Sequence, residues 1–517
     1  MYEMSSSLNG KAASITLTGR TGNTEDILNG AIGGNNSYTL SISTTVPVMI
    51  TNLKITGGQA GLSLGYDEEN SANVEVSVTL GEGCLVTDNG NSSGINLNAG
   101  TLILDGASIT ANCCEYGGGV SVSGGNFIMI SGTIGGTTED DANTSDYRGA
   151  GVYISGGTFT MKGGTICGNK TSSGSGAGVY VGFENAGSDD ETCGTFIMEG
   201  GTISGNESGT AGGGVFVDGY DSDSALTGTV TFTMSGGTIT GNTNTSTYDE
   251  GERGGGGVAL YGEKAEFIME GGTITANESS CYGGAVSVTG GAKFTMNAGT
   301  IGGTSSAEGN KVTLAGYSSY GAGVYVGDSA TFTMEGGSIS YNSTSSTGST
   351  TGGGAVCAYS GTFIMNGGTL SNNSSAGSGG AVYIGSTGTF EMTGGTVTGN
   401  SCGSEGSGKA VYVRTNGSDS GTLTMGGSAV IASGNDVYLP SGAVITITEA
   451  FDGDIETAAV ITPETYSTDI TVLAAGLDDD DGNTLVELEY EYDVFAVTPE
   501  GTTIYIVSSE GKLIVSE

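Results

Sequence analysis

The chain contains no histidine, no tryptophan, four prolines and only 13 basic residues among 517. Without histidine, the side chain that titrates nearest neutrality and the commonest metal ligand are both missing. None of the eight cysteines stands in a C-x-x-C pair, so a zinc-type site is not expected. Their even number permits disulfides without requiring them, and they share no common position along the chain. The absence of tryptophan removes the usual sugar-stacking side chain. The 13 basic residues stand against 55 acidic ones, for a net charge of −42. Such a chain is repelled by phosphate, which excludes nucleic acid and anionic membrane as partners. No apolar run approaches the ~18 residues a membrane span needs. The opening Met1-Tyr2-Glu3-Met4-Ser5 lacks the charged and apolar regions of a signal peptide. The expectation is therefore an export signal outside this chain and an extracellular or cell-surface location.

What is present is glycine, 100 residues of it, well above the usual ~7%. There is no Gly-X-Y period, so collagen is excluded. The glycines instead recur in register around one sentence, G-V-Y-I-S-G-G-T-F-T-M-K-G-G-T-I-C-G-N over Gly151–Asn169. Copies aligned on the aromatic residue fall at Phe127, Phe159, Phe196, Phe232, Phe267, Phe294, Phe332, Phe363 and Phe390, with Leu102 and Leu423 in the same slot at the ends. The spacing runs from 25 to 38 residues, so the longer copies carry insertions. Each copy reads as three short strands bounded by glycine pairs: V-Y-V, T-F-T-M and T-I followed by G-N. Strands this short bury no face alone. Stacked coil on coil, each pairs in parallel with its equivalent one coil away. The predicted fold is all-β, a right-handed parallel β-helix solenoid of roughly 12 three-stranded coils at the ~4.8 Å strand spacing.

Period-two alternation sends Phe and Met of the second strand inward, along with the outer residues of the first strand and the Ile of the third. The middle residue of the first strand is expected to point outward. A column of asparagines, Asn112, Asn169, Asn206, Asn242, Asn277, Asn342 and Asn400, ends the third strand. These are expected to take a left-handed turn conformation and to stack as a structural amide ladder, not to act as ligands. Residues 1–47 are less regular and read as an N-terminal cap, 48–450 as the β-helix, and 451–517 as a β-rich C-terminal cap or small domain.

The recurrent G-G-T-F-x-M-x-G-G-T-I-x-x-N block and the G-G-[AG]-V turn, as in Gly283–Val286 and Gly379–Val382, carry a resemblance. Over roughly residues 95–450 the chain resembles bacterial adhesin-like surface proteins built of β-helix repeats, whose fold is that of pectate lyases. The turn is also similar to the G-G-A-[ILV] repeat of polymorphic outer-membrane proteins, which pairs it with F-x-x-N, here Phe294–Asn297 and Phe363–Asn366. The resemblance implies a secreted or surface-displayed adhesin or stalk that binds host or bacterial surface glycan or protein. Self-association as a filament or surface-layer subunit is one alternative. A polysaccharide lyase or glycoside hydrolase is another, but the His and R-I-K segment of the hydrolases of this fold are missing. Arg20, Arg148, Arg253 and Arg414 lie at unrelated positions. No cofactor is expected.

Two sets of candidate site residues follow. The outward position of the first strand carries Tyr153, Tyr180, Phe216, Tyr325, Tyr383 and Tyr412, a broken aromatic stripe suited to sugar rings or protein. The acidic insertions offer oxygen ligands for Ca²⁺: Glu184, Asp189 and Asp190, then Asp221 and Asp223, then Asp478 and Asp480 in the run before Gly482.

Overall fold

The structure, a computed structural model, describes the chain except residues 1, 6–8, 10–12, 21–25, 31–37, 185–191, 222–226, 247–253, 314–318, 348–350, 405, 477–485 and 517. It divides into two compact units, one of residues 1–246 and 255–273, the other of 247–254 and 274–517. Each unit is a right-handed parallel β-helix built from the repeat.

In the first unit the aromatic strand is paired in parallel from coil to coil, Phe127 to Phe159, Phe196, Phe232 and Phe267. The rings stack at centroid separations of 4.5, 4.9, 4.8 and 4.5 Å, close to the strand spacing itself. In the second unit Phe294, Phe332, Phe363 and Phe390 repeat the arrangement. All these phenylalanines and their Met partners are buried, and the residue between them is half-exposed, as alternation requires.

The sheets are assigned differently from the sequence expectation. The T-F-T-M strand and the T-I strand belong to one bent sheet, and in Gly100–Thr110 and Asn126–Gly135 they run on as a single strand. The third sheet starts with Cys113–Tyr116 and Thr144–Arg148 and is otherwise made of two-residue strands just after the asparagine, such as Lys170–Thr171, Glu207–Ser208 and Ser374–Ser375. Two residues leave no periodicity to read. Parallel pairing also extends into both flanks. Tyr2–Met4 pairs with Leu40–Ile42, and Ile15–Thr18 with Val48–Thr51. At the other end Ala459–Pro463 pairs with Val437–Leu439, and Phe495–Val497 with Ala459–Pro463, before the antiparallel hairpin of Tyr505–Val507 and Leu513–Val515.

The asparagine ladder is complete where the sequence showed it in part. In the first unit it runs Asn89, Asn112, Asn143, Asn169, Asn206, Asn242, each Nδ2 donating to the next Oδ1 at 2.8–3.0 Å. In the second it runs Asn277, Asn310, Asn342, Asn373, Asn400 in the same way, ending on Asn435, whose Oδ1 accepts the Asn400 backbone N–H. Asn206 shows the accounting. Its Nδ2 donates to Asn242 Oδ1 and the Ile166 carbonyl, and its Oδ1 accepts the backbone N–H and Nδ2 of Asn169. All four hydrogen-bonding positions of the amide are filled, in a fully buried site, so it has no capacity left for a ligand. The left-handed residue is not the asparagine, as expected from sequence, but the one before it: Gly205 at φ 64°, Ala276 at 53°, Tyr341 at 61°. None of the ladder asparagines has a positive φ, and their amides bond along the stack.

Replacing Asn206 by Ala leaves two buried donors of Asn169 without acceptors, a cost of about 3 kcal/mol. A chemical-denaturation midpoint lowered accordingly, with the half-exposed Thr233→Ala as an unaffected control, is the expected result.

Candidate functional site

The aromatic stripe forms as a column but not as an exposed one. Tyr153 pairs with Tyr180 and Tyr180 with Phe216; further on, Tyr383 pairs with Tyr412. Tyr180, Phe216, Tyr325 and Tyr383 are nevertheless buried, and only Tyr153 and Tyr412 are half-buried. The expectation of an accessible stripe is corrected for those four. The cause is a second apolar layer on the outer face of the first-strand sheet. In the first unit, Ala211 packs with Tyr180, Phe216 and Ala259. In the second, Cys281, Tyr282 and Tyr320 close over Tyr325, Cys357 and Tyr383. The covering segments bridge one another in parallel, Arg148 to Ser175 to Ala211 and Tyr320 to Gly352 to Ser378. The G-G-[AG]-V turn folds each segment back onto the column. Gly212 takes φ 60° with its absent Cβ 2.9 Å from the Phe216 Cβ, so neither the conformation nor the space admits a side chain.

Polar groups close this layer. The Tyr180 hydroxyl donates to Asp218 Oδ2 at 2.5 Å, and Arg148 lies 3.5 Å from the same carboxylate and 5.0 Å over the Tyr180 ring. Arg148 therefore holds the layer shut. The Tyr383 hydroxyl is buried with no hydrogen-bond partner among the described residues. Burial pushes the phenols of Tyr180, Tyr325 and Tyr383, and the Cys357 thiol, above their ordinary values. All eight cysteines are unbridged.

The column is aromatic only from Tyr153 onward. One and two coils earlier its positions hold Ser121 and Asn96. There the second layer is unfilled, and a cleft of about 520 Å³ opens, floored by Asn96 and Ser121 and walled by Ser92, Cys114, Glu115 and Tyr116, with Asp146 at its rim. The wall strand Cys113–Tyr116 pairs with Thr144–Arg148 through a bulge, where Asp146 and Tyr147 oppose Glu115 alone. A bulge of this kind re-aims side chains outward. It sets Tyr116 and Tyr147, 42% and 52% exposed, in a stack at 5.6 Å and 28°. Tyr153 continues the group, 5.7 Å from Tyr116. Asn96 Nδ2 donates to Ser92 Oγ at 3.0 Å, and Ser93 Oγ to the Tyr116 carbonyl at 3.2 Å, so the polar floor and wall are braced. Of the cleft residues, the sequence pointed only to the neighbouring Tyr153. The available signal was two small polar residues, Asn96 and Ser121, in succession at the start of the column.

Of the candidate metal ligands, Asp221 is half-buried, and Glu184 lies in the two-residue strand Phe183–Glu184, paired with Thr192–Cys193. Asp189, Asp190, Asp223, Asp478 and Asp480, and the side chain of Glu184, lie outside the described residues. Among the described residues no three His, Cys, Asp or Glu side chains group to hold a metal ion, and no helix is long and apolar enough to cross a membrane. Compared with protein-family models, curated proteins and solved structures, the chain matches none of them.

The second layer predicts opposite signs for one substitution. Tyr180→Phe breaks a bond to a carboxylate and costs about 2 kcal/mol, whereas Tyr383→Phe removes an unpaired hydroxyl and gains up to about 1 kcal/mol. Denaturation midpoints of the two variants check this. The layer also sets an alkaline limit. A phenol whose folded pKa is raised stabilises fully below its ordinary value of 10.0 and loses that contribution as pH rises above it. The share of the tyrosinate absorbance that belongs to the buried phenols is expected to develop only with loss of β-sheet circular dichroism; complete ionisation of all 23 tyrosines with the fold intact would contradict the burial.

Proposed function

We propose that this chain is a non-catalytic, glycan-binding β-helix displayed outside the cell as an adhesin or stalk, and that its sugar site is the cleft at Asn96 and Ser121. The observation that carries the reading is the exposed Tyr116–Tyr147 stack beside a concave polar wall. A sugar ring has an apolar face and a polar equator. It is held by an aromatic plane with amide, hydroxyl and carboxylate groups set at an angle to that plane, which is what this wall provides. The site sits on sheet strands and a paired bulge, so little ordering entropy is spent on binding.

The chemistry of the cleft favours binding over turnover. Glu115 and Asp146 are both exposed, and among the described residues no His, Lys or Arg lines the cleft, so none of them is held out of water there to serve as acid, base or lyase base. The acidic surface fits a stalk that stays soluble and unaggregated.

Immobilised oligosaccharides should retain the chain without releasing product. Tyr116→Ala and Tyr147→Ala should each weaken retention about tenfold, a loss of the order expected for one stacking face. Retention unchanged in both variants would remove the cleft as the site. Shortened products after incubation with pectin or another glycan would replace the reading with an enzymatic one.

A further inference from the structure

We infer that the cleft selects sugars carrying free amines, over their neutral N-acetylated forms and over uronic-acid polymers. This rests on the glycan reading above and names its ligand class. Four observations converge. Two carboxylates, Glu115 and Asp146, line the cleft and are exposed there, and neither has an ion-pair partner among the described residues. Basic side chains of the same unit are taken by other carboxylates: Arg148 by Asp218, Lys170 by Glu207, Lys162 by Glu199. The one strong cation close by, Arg148, is two residues from Asp146 in the same strand, yet it is turned away from the cleft onto Asp218 and the Tyr180 ring. It is thus withheld from neutralising the pair. Finally, Glu115, Asp146 and the Tyr116 ring line the cleft together, with Tyr147 stacked on Tyr116, so an ammonium group in the cleft meets two carboxylates and an aromatic side chain.

The same arrangement rejects anions. A uronate carboxylate placed at this wall would face two like charges without a compensating cation, and the net charge of −42 repels it at longer range. An N-acetylated sugar keeps the stacking face but loses the charge. The cleft therefore ranks amine above acetamide above carboxylate.

The test is titration calorimetry of the intact chain with three β-1,4- or α-1,4-linked hexasaccharides: glucosamine, N-acetylglucosamine and galacturonic acid. The glucosamine hexamer is expected to bind about tenfold tighter than the acetylated one, with the advantage shrinking as salt is raised, and the uronate is expected not to bind. Because an acidic chain attracts any polycation, the decisive variant is Glu115→Gln with Asp146→Asn. It changes the net charge only from −42 to −40 (two of 55 acidic residues neutralised), so general attraction survives it. The inference expects the preference for the amine to vanish in this variant while affinity for the acetylated hexamer stays as it was. Equal binding of amine and acetylated hexamers by the unaltered chain, or a preference that survives the double variant, overturns the amine selectivity and leaves the glycan site standing. Failure of all three hexamers to bind takes the glycan reading down with it.

Discussion

The buried asparagine ladder is the constraint on which the rest of each unit depends. A side-chain amide removed from water must find partners for two donors and two acceptor positions or cost several kcal/mol. Here every coil supplies what its neighbour lacks: a carbonyl from the coil before, an Oδ1 from the coil after, and a backbone N–H in return. The bonds run along the stack, so they fix one coil's height and rotation against the next. Stacked phenylalanines alone would tolerate a slip of register; directional amides do not. Insertions can then vary in length, provided the chain returns to the same point. Asn143 and Asn310 make this plain, each reached through an insertion after Gly135 and Gly302 yet bonded in line with the others.

On this frame the first-strand sheet is buried on both faces, by the phenylalanine core within and by tyrosines beneath folded-back segments without. The outer layer brings stability and an opportunity together. Where its column holds tyrosine or phenylalanine it closes, and charged side chains such as Arg148 and Asp218 seal it. At Asn96 and Ser121 it stays open and leaves a polar cleft with Tyr116 in its wall. Function in the proposed sense is thus a local omission from a structural pattern, and it needs no separate binding domain.

The fold was legible because the repeat states it many times over, and insertions only lengthen the turns between copies. The ladder was legible in part. Asn373 hides beside Asn372, and Asn143 and Asn310 sit beyond insertions, so alignment on the preceding glycine misses them. The burial of the stripe was misjudged because strict alternation assumes a sheet with one wet face. Its strands, V-Y-V, V-F-V-D, V-A-L-Y and V-C-A, are nearly continuous in apolar residues, the signature of a sheet covered on both sides. The cleft could not be found from spacing at all, since a bulge and two small residues create it, and neither stands out until the layer around them is seen. The calcium expectation fell mostly on residues outside those described; of its candidate ligands only the side chain of Asp221 is among them.

Peptide-resolved hydrogen exchange of the intact chain tests the ladder most directly. Turns in a solenoid ordinarily exchange quickly, whereas here the backbone N–H of Asn206 is bonded to Asn242 and that of Asn342 to Asn373, in sites closed to water. The account predicts that peptides spanning residues 202–208 and 338–344 are as slow as the core strands Thr195–Met198 and Thr331–Met334. Exchange of those turns at the rate of the exposed hairpin turn at 416–419 would contradict it.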